Sequence, residues 1–516
     1  MLKPFSNPAF KEYLPLILLL IAALIVGVFS AQDFGLSWDE PLFYGYADSI
    51  PYAYSIGARL DGSFNLEQAF GPSEDDHKNY GPAYLLIARP GALAFQSLGL
   101  DRASAWHLIN FIFFLIGAAL FYSLCRRWIG QWPSLAATAL FVTQPVLWGH
   151  AFINPKDMPF LVFFIASMAL GLRMVDQWQG AFAHNWRSAV FPAIVLGAAS
   201  SVRVLGPLAG ILIALYSFQR HKKMMWREIG LFALIAVVTL FIAWPYLWDA
   251  PAQNLIAVLL RSAGNDTQLK VLFNGAIFQA DQLPRRYLPV LLAITLTEPV
   301  WPLFMIGLGI AAWQAYKKQI AWLPLALIGA WFALPFFYVI LRTPPMYDGY
   351  RHFLFILPPI FLFAGFAFEQ IQKYLKQNWL NALIVLILLA PGVYADIHLH
   401  PYEYTYYNSI VGGAGGAFRK YETDYWLTCY KEVLERVNAS PPANKTIYIQ
   451  REIDIAQYYA GALSVRDLKS AQIAAGDWML FSTRANLDQV SVYRKAPEIF
   501  SVGRDGAVFC VVKQFK

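Results

Sequence analysis

The chain has 516 residues, of which 58% are hydrophobic and only 14% charged, with a net charge of +7. That balance excludes an ordinary soluble enzyme. The positive charge is spread over many loops, so no concentrated basic patch supports nucleic-acid binding. Cys125, Cys429 and Cys510 show neither C-x-x-C spacing nor a metal cluster. Cys429 and Cys510 could pair if the C-terminal region lies outside the membrane.

A helix needs about 20 mostly apolar residues to cross the hydrocarbon. Eleven segments approach that pattern, with cores near 13–31, 105–125, 132–150, 157–175, 188–202, 204–218, 229–248, 288–313, 321–341, 352–370 and 379–397. The first has no small-residue cleavage site after it and reads as a retained helix. Residues 188–202 and 204–218 are short and separated only by Arg203, so they form a tight helical hairpin or one broken helix. The segment 82–99 is apolar but carries Arg89-Pro90 at its centre, which favours a juxtamembrane helix lying along the interface.

With the N-terminus inside, Arg126, Arg127, Arg173, Arg220, Lys222, Lys223, Lys317, Lys318 and Lys373 all fall in internal loops, as the positive-inside bias requires. The segments unusual in composition fall outside: "SWDEPLFYG" (37–45), "GPSEDDHKNYGPAY" (71–84), "GHAFINPKDMPF" (149–160), "WPYLWDAP" (244–251), "LRTPPMYDGYRHF" (341–353) and "HPYEYTYYNSIVGG" (400–413). Residues 1–399 thus read as a transmembrane domain whose first external loop spans 32–104. Residues 400–516 read as an external α/β domain with strands at 445–450, 477–483 and 506–515. Helices are expected there in "DIAQYYAGAL" and "RDLKSAQIAAG".

The acidic pair Asp39-Glu40 has a plain structural reading as a helix start. Ser37 or Asp39 would be the N-cap, Glu40 would close a Ser-x-x-Glu box and Pro41 would sit in the first turn. Capping uses one carboxylate and leaves the other for chemistry. In "EDDHKNYGPAY", Glu74, Asp75 and Asp76 read as a solvated loop. The acids around His77 could hold a divalent cation but lack a firm ligand spacing, so no cofactor is assigned. Lys78, Lys156 and Arg351, with Arg342 nearby in sequence, are candidate phosphate contacts, because Arg presents a fork matched to phosphate oxygens and Lys a point charge. Tyr80, Asp157, Tyr347, Asp348 and His352 complete the candidate donor-binding set. Carboxylates and separate cations at one face of an apolar bundle suit an amphiphilic anion, such as a polyprenyl phosphate carrying a sugar.

Together, the acidic pair after the first span, the Pro-bearing segment before an apolar interfacial helix, "NPKDMPF", "YDGYRHFLFILPP" and "HPYEYTYYNSIVGG" resemble the bacterial branch of glycosyltransferase family 39, protein O-mannosyltransferase-like enzymes of GT-C fold. The resemblance covers most of residues 13–415. It implies a GT-C-like bundle in the bacterial inner membrane and an inverting transfer at the periplasmic face from a polyprenyl-phosphate sugar. Asp39 would be the catalytic base and Glu40 would assist acceptor or backbone positioning. The family often has His-Pro-Pro where this chain has Tyr80-Gly81-Pro82, which leaves the role of Tyr80 and the substrate preference outside what the resemblance implies. The acceptor is a protein, a lipid or a glycan. The rival reading is a transporter or flippase for a lipid-linked saccharide. Transporters tend to place ionisable residues at the bilayer midplane, whereas the span cores here are nearly free of them.

Overall fold

The computed structural model of the protein describes residues 8–72, 77–178, 182–223, 225–263, 269–469 and 472–516. Glu74, Asp75 and Asp76 lie outside the described residues. Every one of the eleven apolar cores falls on a helix or a bent helix pair. Five helices are long and apolar enough to cross a membrane: Glu12–Ser30, Arg102–Cys125, Asp157–Gln177, Trp322–Arg342 and Asn378–Leu399. The count rises to seven if Gln131–Val142 with Pro145–Ile153, and Tyr287–Thr295 with Val300–Tyr316, are each taken as one bent span. The other four cores lie on Phe182–Val202, Pro207–His221, Trp226–Ile242 and Pro358–Tyr374.

Asp157–Gln177 is the centre of the bundle, with 89% of its apolar window buried. It packs against Arg102–Cys125, Phe182–Val202 and Pro207–His221. The segment around Arg203 resolves into two helices joined by a turn, closed where Gly206 N–H donates to the Arg203 carbonyl at 2.9 Å. The segment 82–99 forms one helix, Ala83–Ser97, with Pro90 inside it. Its Ala88 and Ala92 are buried, while Ile87 and Leu93 are exposed.

The bundle has two chemically different ends. At one, Arg126 pairs with Glu12 at 2.6 Å and Arg127 with Asp176 at 2.7 Å, which gathers three loops assigned to the inside. At the other, the loops assigned to the outside meet the C-terminal region. The 24-residue helix Arg102–Cys125, about 36 Å long, separates the two.

A five-stranded sheet lies in the C-terminal region, built from β3 (Thr446–Ile449), β4 (Ser464–Asp467), β5 (Trp478–Ser482), β6 (Glu498–Arg504) and β7 (Ala507–Gln514) in the order β4-β3-β5-β7-β6. Expected strands 445–450, 477–483 and 506–515 match β3, β5 and β7. The expected helix over "RDLKSAQIAAG" is corrected. Its first two residues, Arg466 and Asp467, end β4, which pairs parallel with β3, so sheet pairing takes the start of the expected helix. A disulfide joins Cys429 to Cys510 and ties the helix Cys429–Ala439 to β7. A hairpin not expected from the sequence, β1 (Lys270–Phe273) with β2 (Ala276–Gln279), turns through Asn274-Gly275, both at positive φ. That dipeptide is a strong hairpin signal.

Candidate active site

The helix α2 (Glu40–Ala53) begins where the chain leaves α1 (Pro8–Ser30). Glu40 performs the capping: its Oε2 accepts the Ser37 backbone N–H at 2.6 Å. Its Oε1 accepts the Tyr44 hydroxyl at 2.6 Å and lies 3.0 Å from His107 Nε2. Glu40 is fully buried. Ser37 Oγ turns away and donates to the Ile153 carbonyl at 2.9 Å, which fixes the strip to the helix Pro145–Ile153. Asp39 makes no capping bond. Its carboxylate faces another way, with Oδ2 2.5 Å from Arg351 Nη1.

Arg351 is the hub. Its Nη1 also lies 3.5 Å from Asp157 Oδ2, and its Nη2 lies 3.2 Å from Asp348 Oδ2. The guanidinium carbon stands 5.2 Å from the ring centres of both Tyr347 and Trp426. Asp157 opens its helix, where the helix dipole favours a carboxylate. Asn154 Oδ1 accepts the Asp157 backbone N–H at 2.7 Å. The second Asp157 oxygen pairs with Arg203, from the turn after Val202. Lys156 places its ammonium 3.2 Å from the centre of the Tyr80 ring. Gly81 fixes the loop that carries Tyr80: its N–H donates to the Ser201 carbonyl at 3.0 Å, and a Cβ there would clash with Ser201.

Exposure separates these groups. The Arg351 side chain is 3% exposed, Asp157 1% and Asp348 0%, but Asp39 keeps 24%. Burial works to raise the Asp39 carboxyl, but Arg351, Lys156 and His77 more than offset it, so its pKa falls below the usual value. Asp39 is therefore ionised at neutral pH. Burial raises Asp348, against the pull of Arg484 and Arg351.

Among the predicted residues, Asp39, Asp157, Asp348 and Arg351 meet directly, Lys156 meets Tyr80, and Tyr347 meets His352 with ring centres 4.9 Å apart. Lys78 is half-buried on the Tyr80 loop and gives its carbonyl to Trp244 Nε1 at 2.9 Å. Arg342 does not join the cluster. It is exposed at the end of its helix, and Thr343 leaves in the left-handed conformation. Among the described residues no group of three or more His, Cys, Asp or Glu is placed to hold a metal ion.

No protein-family model matches the chain, and no curated protein matches it. Solved structures do, two of them over nearly the whole of both chains. Both are ArnT from Cupriavidus metallidurans, one in the apo state and one bound to undecaprenyl phosphate. Each is matched over 96% of this chain and 97% of that chain, with a TM-score of 0.51 and 15% or 14% sequence identity. The chain has the GT-C fold of ArnT.

Within this ArnT-like fold the cluster draws on two residues that sequence reasoning missed. Arg203 had a signal, since it is an arginine at a turn between two apolar runs. Arg484 had none. It follows β5, lies 3% exposed, and pairs with Asp348 Oδ1 at 2.6 Å. The strip before α2 is also gripped from the C-terminal side. Trp38 N–H donates to the Trp426 carbonyl at 3.2 Å, and Leu36 N–H to the Tyr459 hydroxyl at 2.9 Å. Behind Arg351 a small polar cavity is lined by His150, Thr295, Tyr350, Glu422 and Tyr425. A larger apolar groove between Trp132, Phe368 and Trp379 contains none of the predicted site residues.

Proposed function

We propose that the protein is a membrane glycosyltransferase that moves a sugar, with inversion, from a polyprenyl-phosphate donor to an acceptor hydroxyl at the periplasmic face of the bacterial inner membrane. One observation carries this reading. Asp39 is the one partly exposed carboxylate among Asp39, Asp157 and Asp348, held ionised beside Lys156 and Arg351. Acceptor oxygen attacks the anomeric carbon while its proton passes to Asp39 Oδ1, since Arg351 occupies Oδ2. The bond from carbon to phosphate oxygen breaks, and polyprenyl phosphate leaves against Lys156 and Arg203. Such a base contributes about 10²–10⁴-fold, and fixed cations stabilise the departing charge.

The GT-C fold supports the reading, as does the undecaprenyl phosphate named with one of the ArnT structures. The closer assignment to the bacterial branch of glycosyltransferase family 39 rests on the five sequence segments. The Cys429–Cys510 disulfide supports an oxidising compartment for the C-terminal region. The division at residue 399 is proposed in the same sense. In the test, purified protein is incubated with radiolabelled polyprenyl-phosphate sugars and acceptor extracts. Release of polyprenyl phosphate by the wild type, and none by Asp39→Asn, is the expected result. Movement of the intact lipid-linked sugar across vesicles without any release would establish the transporter reading in its place.

A further inference from the structure

Arg484 comes from the sheet region, yet it ends in the catalytic cluster. After Ser482 the chain takes Ala485 and Asn486 through positive φ, 47° and 56°. Non-glycine residues adopt that conformation at a cost, so the surrounding contacts must hold it. The turn aims the guanidinium at the bundle. Its Nη1 donates to the Tyr425 carbonyl at 2.9 Å, and its carbon lies 4.1 Å from the centre of the Trp38 ring, the residue before Asp39.

Asp348 is itself in the left-handed region at φ 57° and fully buried. One of its oxygens takes Arg484; the other takes Arg351 and Trp426 Nε1, each at 3.2 Å. Charges therefore alternate in an unbroken line: Arg484, Asp348, Arg351, Asp39. We infer that Arg484 is a positioning residue for the proposed transfer, fixing the fork of Arg351 through Asp348 and so aiming Asp39. This rests on the functional reading above.

Groups acting on Asp348 include Arg484, Arg351, Asp39, Glu422, Tyr287, Tyr347 and Tyr425. Burial already lifts this carboxyl, and Arg484 is the first of the groups holding it down. Without Arg484, Asp348 takes up a proton at higher pH, and Arg351 Nη2 loses its anion. A misplacement of about 1 Å at such a site costs on the order of 100-fold in rate.

The test is transfer kinetics across pH on the full chain for wild type, Arg484→Lys, Arg484→Gln, Asp348→Asn and the Arg484→Gln/Asp348→Asn double variant. Arg484→Gln is expected to lose kcat by about 100-fold, with a much smaller change in donor KM. It also gains an acid limb, with the rate rising as pH rises. Arg484→Lys recovers most of the rate. The double variant lacks the new limb and loses less than the product of the two singles. A wild-type kcat and pH profile in Arg484→Gln, or losses that simply multiply in the double variant, would overturn the inference. Should Arg484→Gln not fold, wild-type kcat in Asp348→Asn with an unchanged Arg484→Lys profile overturns it equally. A wild type that releases no polyprenyl phosphate defeats the functional reading instead, so the two failures are distinct.

Discussion

The ammonium of Lys156 stands 3.2 Å from the centre of the Tyr80 ring, joining two segments that lie 76 positions apart in the sequence. Lys156 is only 6% exposed, so the ring replaces part of its hydration. A desolvated cation–π contact is worth about 2 kcal/mol. Tyr80→Ala should therefore weaken polyprenyl-phosphate binding by up to about 30-fold, while Tyr80→Phe keeps the ring and binds nearly as wild type. Titration calorimetry in detergent with the lipid phosphate alone distinguishes the two.

Asp39→Asn should lower kcat by about 10²–10⁴-fold and leave lipid-phosphate binding in place. Stability offers a second measurement. The folded-state pKa of Asp39 lies below its usual 3.8. Its attraction to Arg351 is then fully present above the unfolded value and fades as pH falls through the folded one. The melting-temperature gap between wild type and Asp39→Asn should be constant from pH 5 to 8, begin to shrink near pH 4 and close only below the lowered folded-state value. A gap that persists at the acid end would contradict the pairing.

The neighbouring acid should behave differently. Glu40→Ala leaves the Ser37 N–H, the Tyr44 hydroxyl and His107 without their buried acceptor. An unsatisfied buried group costs about 1–3 kcal/mol, so the variant should lose roughly 3 kcal/mol or more of stability. The molecules that do fold should still transfer sugar. Thermal unfolding beside single-turnover rates separates this from the Asp39→Asn phenotype.

Reduction of the Cys429–Cys510 bond opens a connection spanning 81 residues. Loop-closure entropy for that length is about 4.5 kcal/mol. Reductant, or Cys429→Ser with Cys510→Ser, should lower the melting temperature by several degrees, while Cys125, buried in the bundle, stays unreactive toward thiol reagents. An unchanged melting curve would mean that the bond carries no stability.

Much of this was legible from residues alone because its causes are local. Apolar runs near bilayer length can do little except form helices, and the basic loops between them sorted into one end of the bundle. Ser37-x-x-Glu40 announced a cap, which released Asp39 from that duty. Where tertiary contacts decide, the reading failed. β4 is a short edge strand whose pairing with β3, not its composition, makes it a strand. Arg484 lies in "FSTRANLD", a stretch with no pattern, and reaches Asp348 from the turn that follows β5, just before the left-handed Ala485 and Asn486. Asn274-Gly275 was a missed signal of a different sort, present in the sequence and overlooked.

The grip of Trp426 and Tyr459 on the strip before α2 has a consequence in time. A ribosome delivers Asp39 within the first tenth of the polypeptide, and Arg351 and Arg484 far later. Chains fold from the N-terminus as they emerge, so Asp39 is made long before the groups that hold it. In a nascent or prematurely terminated product the acid would lack its ion pair, and the proposed transfer would begin only once Arg351 and Arg484 had been added.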